Sequence, residues 1–320
     1  MSAVGDINGD GYNDIIVGAL GSGNADDSDF VFVYSGENGE ELYTFHHGHL
    51  FEGFGWAVST GDVNNDGYDD IIIGVPWSDV NSDTVGRVFV FSGQNGDTLY
   101  TFIGAAEDDQ FGYSVASGGD FNNDGYEEIV VGATYRYATG ENESEVYVFS
   151  GQTGAVLYVY TSQSIDDLFG ITVWSRGDLN NDGFADLVIG APNNDGNGVD
   201  AGRVYAFSGQ TGDTLFLFSG ESENDFLGQS VAVADINNDN YDDLIIGTGE
   251  NISPGLCCGA GKVYVLSGLD GDTILVINGK VQDIFGYRVA PAGDVDNDGF
   301  TDILVGTPFA YDQVTQIGRT

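Results

Sequence analysis

Basic residues are scarce in this chain of 320 residues. Eight lysines and arginines stand against 51 aspartates and glutamates, which gives a formal net charge of −43 at pH 7. A surface with this charge repels the phosphate backbone of nucleic acids and the headgroups of anionic membranes, so neither is expected as a partner. Cations are the partners that the charge favours, unless the carboxylates are simply scattered over a solvated surface.

Cysteine, proline and long apolar runs are also rare or missing. The two cysteines, Cys257 and Cys258, are adjacent and cannot form an ordinary disulfide across the fold, so a strained vicinal disulfide and two free thiols both stay open. No apolar run approaches the length of a membrane span, so direct membrane insertion is not expected. Five prolines against 50 glycines indicate many tight turns rather than a disordered tract.

One short acidic pattern recurs six times along the chain. Its frame is Asp-x-Asn/Asp-x-Asp-Gly/Asn-x-x-Asp/Glu, first at residues 6–14, and successive copies begin 56 to 59 residues apart. A fixed period of this length indicates repeats that bury their apolar faces only by stacking on one another. The six repeats begin near residues 1, 54, 111, 169, 227 and 285.

Each repeat carries short apolar runs that predict β-strands. A run that ends in glycine follows every acidic loop, as at 70–74, and a second run closes with Ser-Gly, as at 88–91. A turn leads to a third run, as at 99–102, and a fourth run precedes the next acidic loop, as at 112–115. The sequence therefore predicts an all-β chain, a β-propeller of four-stranded antiparallel blades that forms a single domain over residues 1–320.

Strand counting leaves the first and last of the six visible repeats incomplete. Only a few residues precede Asp6 where the second repeat has a whole strand, and Gly318-Arg319 match the residues that open the third strand of other repeats. The third and fourth strands of repeat six are therefore expected to come from elsewhere. A longer polypeptide that forms a seven-bladed ring is the favoured explanation, and strands lent by a neighbouring copy are the alternative.

The acidic loops have the composition of a calcium site. Oxygen-bearing side chains stand at positions 1, 3, 5 and 9, and a backbone carbonyl at position 7 completes an all-oxygen set that suits Ca²⁺. Position 6 needs the conformation of a sharp turn and is glycine except for Asn240. Position 12 is apolar in every copy, so an EF-hand is not predicted. Metal-free turns are the alternative, which six regular copies disfavour.

The predicted ligands are five residues in each loop, so the sequence predicts up to six calcium ions. Position 1 is Asp6, Asp62, Asp120, Asp178, Asp235 and Asp294. Position 3 is Asn8, Asn64, Asn122, Asn180, Asn237 and Asp296. Position 5 is Asp10, Asp66, Asp124, Asp182, Asp239 and Asp298. Position 7, through its backbone carbonyl, is Tyr12, Tyr68, Tyr126, Phe184, Tyr241 and Phe300. Position 9 is Asp14, Asp70, Glu128, Asp186, Asp243 and Asp302.

With these loops in place, the chain resembles the FG-GAP repeats of integrin α chains and of bacterial and archaeal surface proteins. Phe-Gly pairs stand at 54–55, 111–112, 169–170 and 285–286, and Gly-Val-Pro, Gly-Ala-Thr and Gly-Ala-Pro stand at 74–76, 132–134 and 190–192. Repeat five departs, with Leu227-Gly228 and Gly247-Thr248. The resemblance implies a calcium loop between the first and second strands of each blade, an extracellular or cell-surface location, and a role in adhesion or glycan contact.

Three functions are compatible with this interpretation. An extracellular calcium-binding recognition or adhesion module for a protein or glycan ligand is favoured. A structural subunit of a surface layer or fibre, assembled through its own copies, is the first alternative. A calcium-dependent glycan-binding or glycan-cleaving propeller, related to polysaccharide lyases, is the second. No nucleophile and base pair stands out, so a non-enzymatic function is expected.

Two further motifs are interpreted without a functional role. Arg176-Gly177-Asp178 spells an adhesion tripeptide, but Asp178 is already the first predicted ligand of its loop. The chain's three histidines are His46, His47 and His49. For them a solvated loop between blades is favoured over a transition-metal site.

Overall fold

A computed structural model describes most of the chain. The described residues are 2–21, 28–48, 51–80, 83–134, 144–162, 164, 166–249, 260–280, 283–308, 311–312 and 315–316. Cys257, Cys258, His49 and Gly318-Arg319 lie outside them. The chain divides into two compact units, Met1–Asp166 and Asp167–Thr320. Within the described residues the regular structure is β-strand, with no helix.

Unit 1 contains three four-stranded antiparallel sheets. The first consists of β1 (Ser2–Gly5), β2 (Asp14–Ala19), β3 (Phe30–Tyr34) and β4 (Glu41–His46). The chain continues through β5 (Ala57–Gly61), β6 (Asp70–Val75), the short hairpin of β7 (Asp79–Val80) and β8 (Asp83–Thr84), then β9 (Arg87–Phe91) and β10 (Thr98–Ile103). Strands β5, β6, β9 and β10 form the second sheet. The third consists of β11 (Phe111–Ala116), β12 (Ile129–Ala133), β13 (Glu145–Phe149) and β14 (Val156–Thr161).

Unit 2 contains two sheets of the same kind and two smaller ones. The fourth sheet consists of β15 (Thr172–Trp174), β16 (Leu187–Ala191), β17 (Arg203–Phe207) and β18 (Thr214–Ser219). The fifth consists of β19 (Leu227–Ala234), β20 (Asp243–Thr248), β21 (Lys262–Leu266) and β22 (Thr273–Asn278). Two-stranded sheets are formed by β23 (Arg288–Gly293) with β24 (Asp302–Gly306), and by β25 (Tyr311–Asp312) with β26 (Thr315–Gln316). The predicted all-β fold of four-stranded propeller blades is confirmed, whereas the single domain over residues 1–320 stays a prediction.

Burial within a sheet falls from the second strand to the fourth. Strand β6 is buried at every residue, because its apolar side chains pack on both faces of the sheet. Strand β9 alternates between buried and half-buried residues, and β10 is exposed or half-buried throughout. In this second sheet the second strand is therefore the most buried, and the acidic loop that leads into it is anchored in the interior.

Neighbouring sheets within each unit share apolar cores. In unit 1, Ile16 of the first sheet belongs to the same buried cluster as Ile71 and Ile73 of the second. In unit 2, Val204 of the fourth sheet and Ile246 of the fifth are buried together. Stacking of this kind is what the repeat period predicted, since each sheet needs its neighbour to cover its apolar face.

The Phe-Gly pair of one repeat contacts the glycine that ends the apolar run of the preceding repeat, at the point where adjacent sheets approach. A Cβ on Gly74 of β6 would lie 2.1 Å from the carbonyl oxygen of Gly112, in the Phe-Gly pair of β11. Gly112 has a φ of 92°, which glycine adopts without strain. In unit 2, Gly247 stands in the same relation to Gly286, at 2.0 Å. Glycine is therefore required on both sides of this backbone contact.

The predicted Ser-Gly turn after the run at 88–91, which forms the third strand of its sheet, is confirmed. The N–H of Ser92 donates to the carbonyl of Asp97, and the N–H of Gly96 donates to the carbonyl of Ser92, both at 2.8 Å. The same two bonds recur in the other four-stranded sheets, in turns that begin at Ser35, Ser150, Ser208 and Ser267. In four of these turns the glycine after the serine donates its N–H to the carboxylate that ends an acidic loop.

Candidate functional site

Six acidic loops join the first strand of a sheet to the second. Loops 1, 2 and 3 lie in unit 1 and cover residues 6–14, 62–70 and 120–128. Loops 4, 5 and 6 lie in unit 2 and cover residues 178–186, 235–243 and 294–302. All six are described in full, and each stands at the strand connection that the resemblance implied.

The carboxylate at position 1 closes each loop. In loop 3, Asp120 accepts the N–H of Asp124 at 3.2 Å and the N–H of Gly125 at 2.9 Å. Loop 2 has the equivalent bonds, and so do the other four loops. The carboxylate of Asp124 in turn accepts the N–H of Tyr126 at 3.0 Å. These bonds curl the backbone around the carboxylates of positions 1 and 5.

The carboxylate at position 9 is buried in five of the six loops. Glu128 is fully buried and accepts the N–H of Phe121 at 2.6 Å. Asp70 is also fully buried and accepts the N–H of Val63 at 3.2 Å and that of Gly93 at 3.1 Å. Gly93 belongs to the Ser-Gly turn, so this carboxylate ties the loop to the turn between the third and fourth strands of its own sheet. The other buried members are Asp14, Asp186 and Asp243.

Burial raises the pKa of the position 9 carboxyl group in loops 2, 3, 4 and 5. Desolvation is the largest cause, and it raises the pKa of Asp70 and of Asp186 to about 7 and that of Glu128 to about 8. Backbone N–H donors lower these pKa values, whereas the neighbouring carboxylates at positions 1 and 5 raise them by repulsion. The pKa of Asp243 is raised for the same first cause. A positive charge in the loop would favour the ionised form of each group.

Two loops bring three carboxylates into range of one metal ion. In loop 3, one oxygen each from Asp120, Asp124 and Glu128 lie within 4.8 Å of one another. In loop 6, the same holds for Asp294, Asp296 and Asp302. No other group of three acidic, histidine or cysteine side chains meets this criterion in the described part of the chain. Loop 3 is distinguished by glutamate at position 9, and loop 6 by aspartate at position 3.

The asparagine side chain at position 3 forms one of two hydrogen bonds, depending on the loop. In loop 1, Oδ1 of Asn8 accepts the N–H of Asp10 at 2.9 Å, and loops 4 and 5 repeat this bond. In loop 2, Nδ2 of Asn64 instead donates to Asp70 at 3.3 Å, and loop 3 has the equivalent bond. The Oδ1 atom of Asn64 is buried and has no hydrogen-bond partner among the described residues. A buried oxygen that lacks a donor fits a cation in the loop.

Position 8 carries acids that sequence reasoning did not single out. Oε2 of Glu127 in loop 3 accepts the N–H of Asp62 in loop 2 at 2.9 Å. Oδ2 of Asp242 in loop 5 accepts the N–H of Asp178 in loop 4 at 2.8 Å. Burial is the largest cause that raises the pKa of Asp242, followed in the same direction by the charges of nearby aspartates. The available signal was an acid at position 8 in three of the loops.

The segment that contains the histidines was expected to be a solvated loop, and His47 departs from this expectation. Nδ1 of His47 lies 2.9 Å from Oε2 of the buried Glu52, and its ring lies 5.4 Å from that of Phe89. The expectation was therefore wrong for His47, while His46 is exposed. The carboxylate of Asp178, in the adhesion-like tripeptide, accepts the N–H of Asp182 and of Gly183 inside loop 4.

A helix long and apolar enough to cross a membrane is absent from the described residues. Among solved structures, the chain is similar to a crystal structure of rhamnogalacturonan lyase YesW, with a TM-score of 0.45 and 15% identity. This match covers 89% of the present chain and 64% of the lyase.

Curated relatives of the chain are integrin α subunits. The chain is 33% identical to integrin alpha-5 of Xenopus laevis over 220 residues and 29% identical to integrin alpha-V of Gallus gallus over 219 residues. It is 31% identical to integrin alpha pat-2 of Caenorhabditis elegans over 255 residues. These matches cover 63%, 63% and 70% of this chain and 20% of each relative, so the chain spans about a fifth of their length.

A family model named FG-GAP repeat matches the chain six times. The matched residues are 2–34, 54–91, 111–149, 175–207, 227–266 and 285–319. Together they cover more than half of the chain, and each match contains one of the six acidic loops. The chain therefore belongs to the FG-GAP repeat family.

Proposed function

We propose that this protein is an extracellular calcium-binding propeller that serves as a non-enzymatic recognition or adhesion module. The observation that carries the proposal is the carboxylate cluster of loop 3. Three acidic side chains converge there within 4.8 Å, and one of them, Glu128, is fully buried. Burying a carboxylate beside two others is unfavourable unless a cation or a proton compensates its charge.

The donor set favours calcium among the cations. Every predicted side-chain ligand offers a carboxylate or carboxamide oxygen, and oxygen donors select hard cations over zinc or copper. Position 1, position 5 and position 9 would hold the ion from three sides of the loop, and position 3 would add the oxygen that Asn64 leaves unpartnered in loop 2. The backbone carbonyl at position 7 stays a predicted ligand.

The extracellular role is supported by the cation and by the relatives. Open loop sites of this kind bind calcium at about 10⁻⁴ to 10⁻³ M, a concentration found outside cells. The curated relatives are integrin α subunits, of which the chain spans about a fifth. A protein or glycan ligand is proposed accordingly, with calcium holding the loops while another surface makes the contact.

Thermal unfolding with calcium or with a chelator tests the cation sites. At about 1 mM calcium and a dissociation constant of about 0.1 mM, each filled loop adds roughly 1.4 kcal/mol to the free energy of unfolding. The melting temperature should rise with calcium and rise less with magnesium, which requires a tighter octahedral shell. An unchanged melting temperature after chelation contradicts the proposal.

Ligand screening tests the recognition role. The chain, immobilised and loaded with calcium, is exposed to arrays of glycans and of extracellular proteins, and the screen is repeated with a chelator. We expect binding that weakens when calcium is removed, without cleavage of the bound ligand. Binding equal in both conditions argues against a calcium-dependent module, and release of shortened glycan argues for a lyase.

A further inference from the structure

Three pairs of successive acidic loops, 1 and 2, 2 and 3, and 4 and 5, are joined by the residue at position 8 of the later loop. In unit 1 the N–H of Asp62 in loop 2 donates to Oε2 of Glu127 in loop 3 at 2.9 Å. The N–H of Glu127 donates back to the carbonyl of Asp62 at 3.3 Å. Two bonds in opposite directions therefore connect one residue of loop 3 to the first residue of loop 2.

The same pair of bonds recurs in unit 2. The N–H of Asp178 in loop 4 donates to Oδ2 of Asp242 in loop 5 at 2.8 Å, and the N–H of Asp242 donates to the carbonyl of Asp178 at 3.4 Å. Between loops 2 and 1, the N–H of Asp69 donates to the carbonyl of Asp6 at 3.1 Å. We call each of these connections an inter-loop clamp.

A glycine before the earlier loop makes room for the clamp. A Cβ on Gly61 would lie 2.3 Å from Oε2 of Glu127, and one on Gly177 would lie 2.9 Å from Oδ2 of Asp242. On Gly5 it would lie 1.6 Å from Oδ2 of Asp69. The glycine and the acid are thus matched across the two loops, and both are visible in the sequence once the pairing is known.

The clamp residue stands between two predicted ligands of its own loop. Glu127 follows Tyr126, whose carbonyl is the predicted ligand at position 7, and precedes Glu128 at position 9. A cation in loop 3 would therefore fix the backbone on both sides of Glu127. On its other side Glu127 holds both backbone groups of Asp62, whose carboxylate is the predicted first ligand of loop 2.

We propose that the inter-loop clamp makes Glu127 a positioning residue that couples cation binding in loop 3 to cation binding in loop 2. The inference rests on the proposed calcium sites. An ion in loop 3 restricts the motion of loop 2 through the clamp. Loop 2 then loses less conformational entropy when it binds its own ion, so that binding is favoured. Coupling of this kind is reciprocal, so each loop strengthens the other.

Site-resolved titration tests the coupling. The N–H of Gly67 donates to Asp62 in loop 2, and that of Gly125 donates to Asp120 in loop 3, both at 2.9 Å. Their ¹⁵N-glycine NMR signals therefore report calcium binding in loop 2 and in loop 3 separately. Asp124→Ala disables loop 3, and the Gly67 signal then measures the affinity of loop 2 with and without its neighbour.

The expected result is a loss of affinity in loop 2 that depends on Glu127. Asp124→Ala should weaken calcium binding in loop 2 about fivefold in the native chain and leave it nearly unchanged in the Glu127→Ala chain. Glu127→Gln keeps an acceptor oxygen and should preserve much of the coupling. A difference between the Ala and Gln variants would show that the hydrogen bond, and not a general loss of stability, carries the coupling. Glu107→Ala removes one negative charge from an exposed turn and should preserve the whole coupling between loops 2 and 3.

Three results would overturn the inference. An affinity of loop 2 that is the same with and without Asp124, in the native chain, excludes coupling and leaves the calcium sites standing. Coupling that persists in the Glu127→Ala chain assigns it to another contact. If neither the Gly67 nor the Gly125 signal saturates with calcium, the proposed calcium function fails together with the coupling.

Discussion

At the scale of single residues, the carboxyl group at position 9 has two structural roles. It accepts backbone N–H groups that hold the loop to the sheet, and it presents charge to the interior of the loop. Asp70 shows both roles, since it bonds Val63 and Gly93 while burial raises its pKa to about 7. The same burial that anchors the loop therefore makes the ionised group depend on a nearby cation.

Replacement of Glu128 should reveal this dependence as a change in how stability varies with pH. The pKa of Glu128 is about 8 in the folded chain, against about 4.3 in an unfolded one. Between these values the folded state holds a proton that the unfolded state has lost, so stability falls as pH rises. In chelator, the stability of Glu128→Gln relative to the native chain should therefore increase as the pH rises from about 5 to about 9.

Denaturant unfolding of both chains across that range provides the measurement. Asp70 and Asp186 also have raised pKa values, but they are present in both chains and their contributions cancel in the comparison. A stability difference that does not vary with pH would show that Glu128 does not titrate in this window. With saturating calcium the pH dependence of the difference should shrink, because the ion favours the carboxylate.

At the scale of one loop, the predicted ligands form a local unit. Asp66 at position 5 accepts the N–H of Tyr68 at 3.0 Å and belongs to the loop closed by Asp62. Asp66→Ala should therefore remove one bound calcium and leave the others filled when calcium is saturating. Metal analysis of the purified chains gives the stoichiometry. Loss of every ion, or of none, contradicts independent loops at saturation.

At the scale of neighbouring sheets, the contact between Gly74 and Gly112 should tolerate no side chain. Gly74→Ala would place a methyl group 2.1 Å from a backbone oxygen, and we expect a loss of about 1–3 kcal/mol in the free energy of unfolding. Gly48→Ala is the matched control, because nothing lies within 4 Å of the added Cβ. Equal stability of the two variants in denaturant unfolding would show that the sheets can separate without cost.

The strands were predictable from the sequence, and the link between loops was not. A run such as 70–74, rich in β-branched residues and bounded by turn residues, has few alternatives to a buried strand, and it forms β6. Whether Glu127 faces its own loop or the preceding one depends on how the sheets stack, which no local pattern states. The contact of His47 with Glu52 was missed for the same reason, since it requires an apolar site built by Phe89 from another strand.

At the scale of the whole molecule, charge is the dominant property. A net charge of −43 on 320 residues destabilises any compact state by self-repulsion. Six divalent cations would reduce the net charge to about −31, and they would act at the loops where carboxylates are most concentrated. Calcium should therefore contribute both as a set of local ligands and as a relief of repulsion across the chain.

Salt separates these two contributions. In chelator, raising sodium chloride from about 20 mM to about 500 mM should raise the melting temperature, because screening shortens the range of repulsion between carboxylates. With saturating calcium the same change in salt should have a smaller effect, since part of the charge is already neutralised. Tetramethylammonium chloride is the control, because its large cation screens charge without entering a loop built for a bare ion. If sodium chloride stabilises the chain in chelator and tetramethylammonium chloride does not, the loops coordinate sodium ions and general charge repulsion makes a minor contribution. If neither salt has an effect, self-repulsion does not limit the stability of this protein, and calcium must act through the six loops alone.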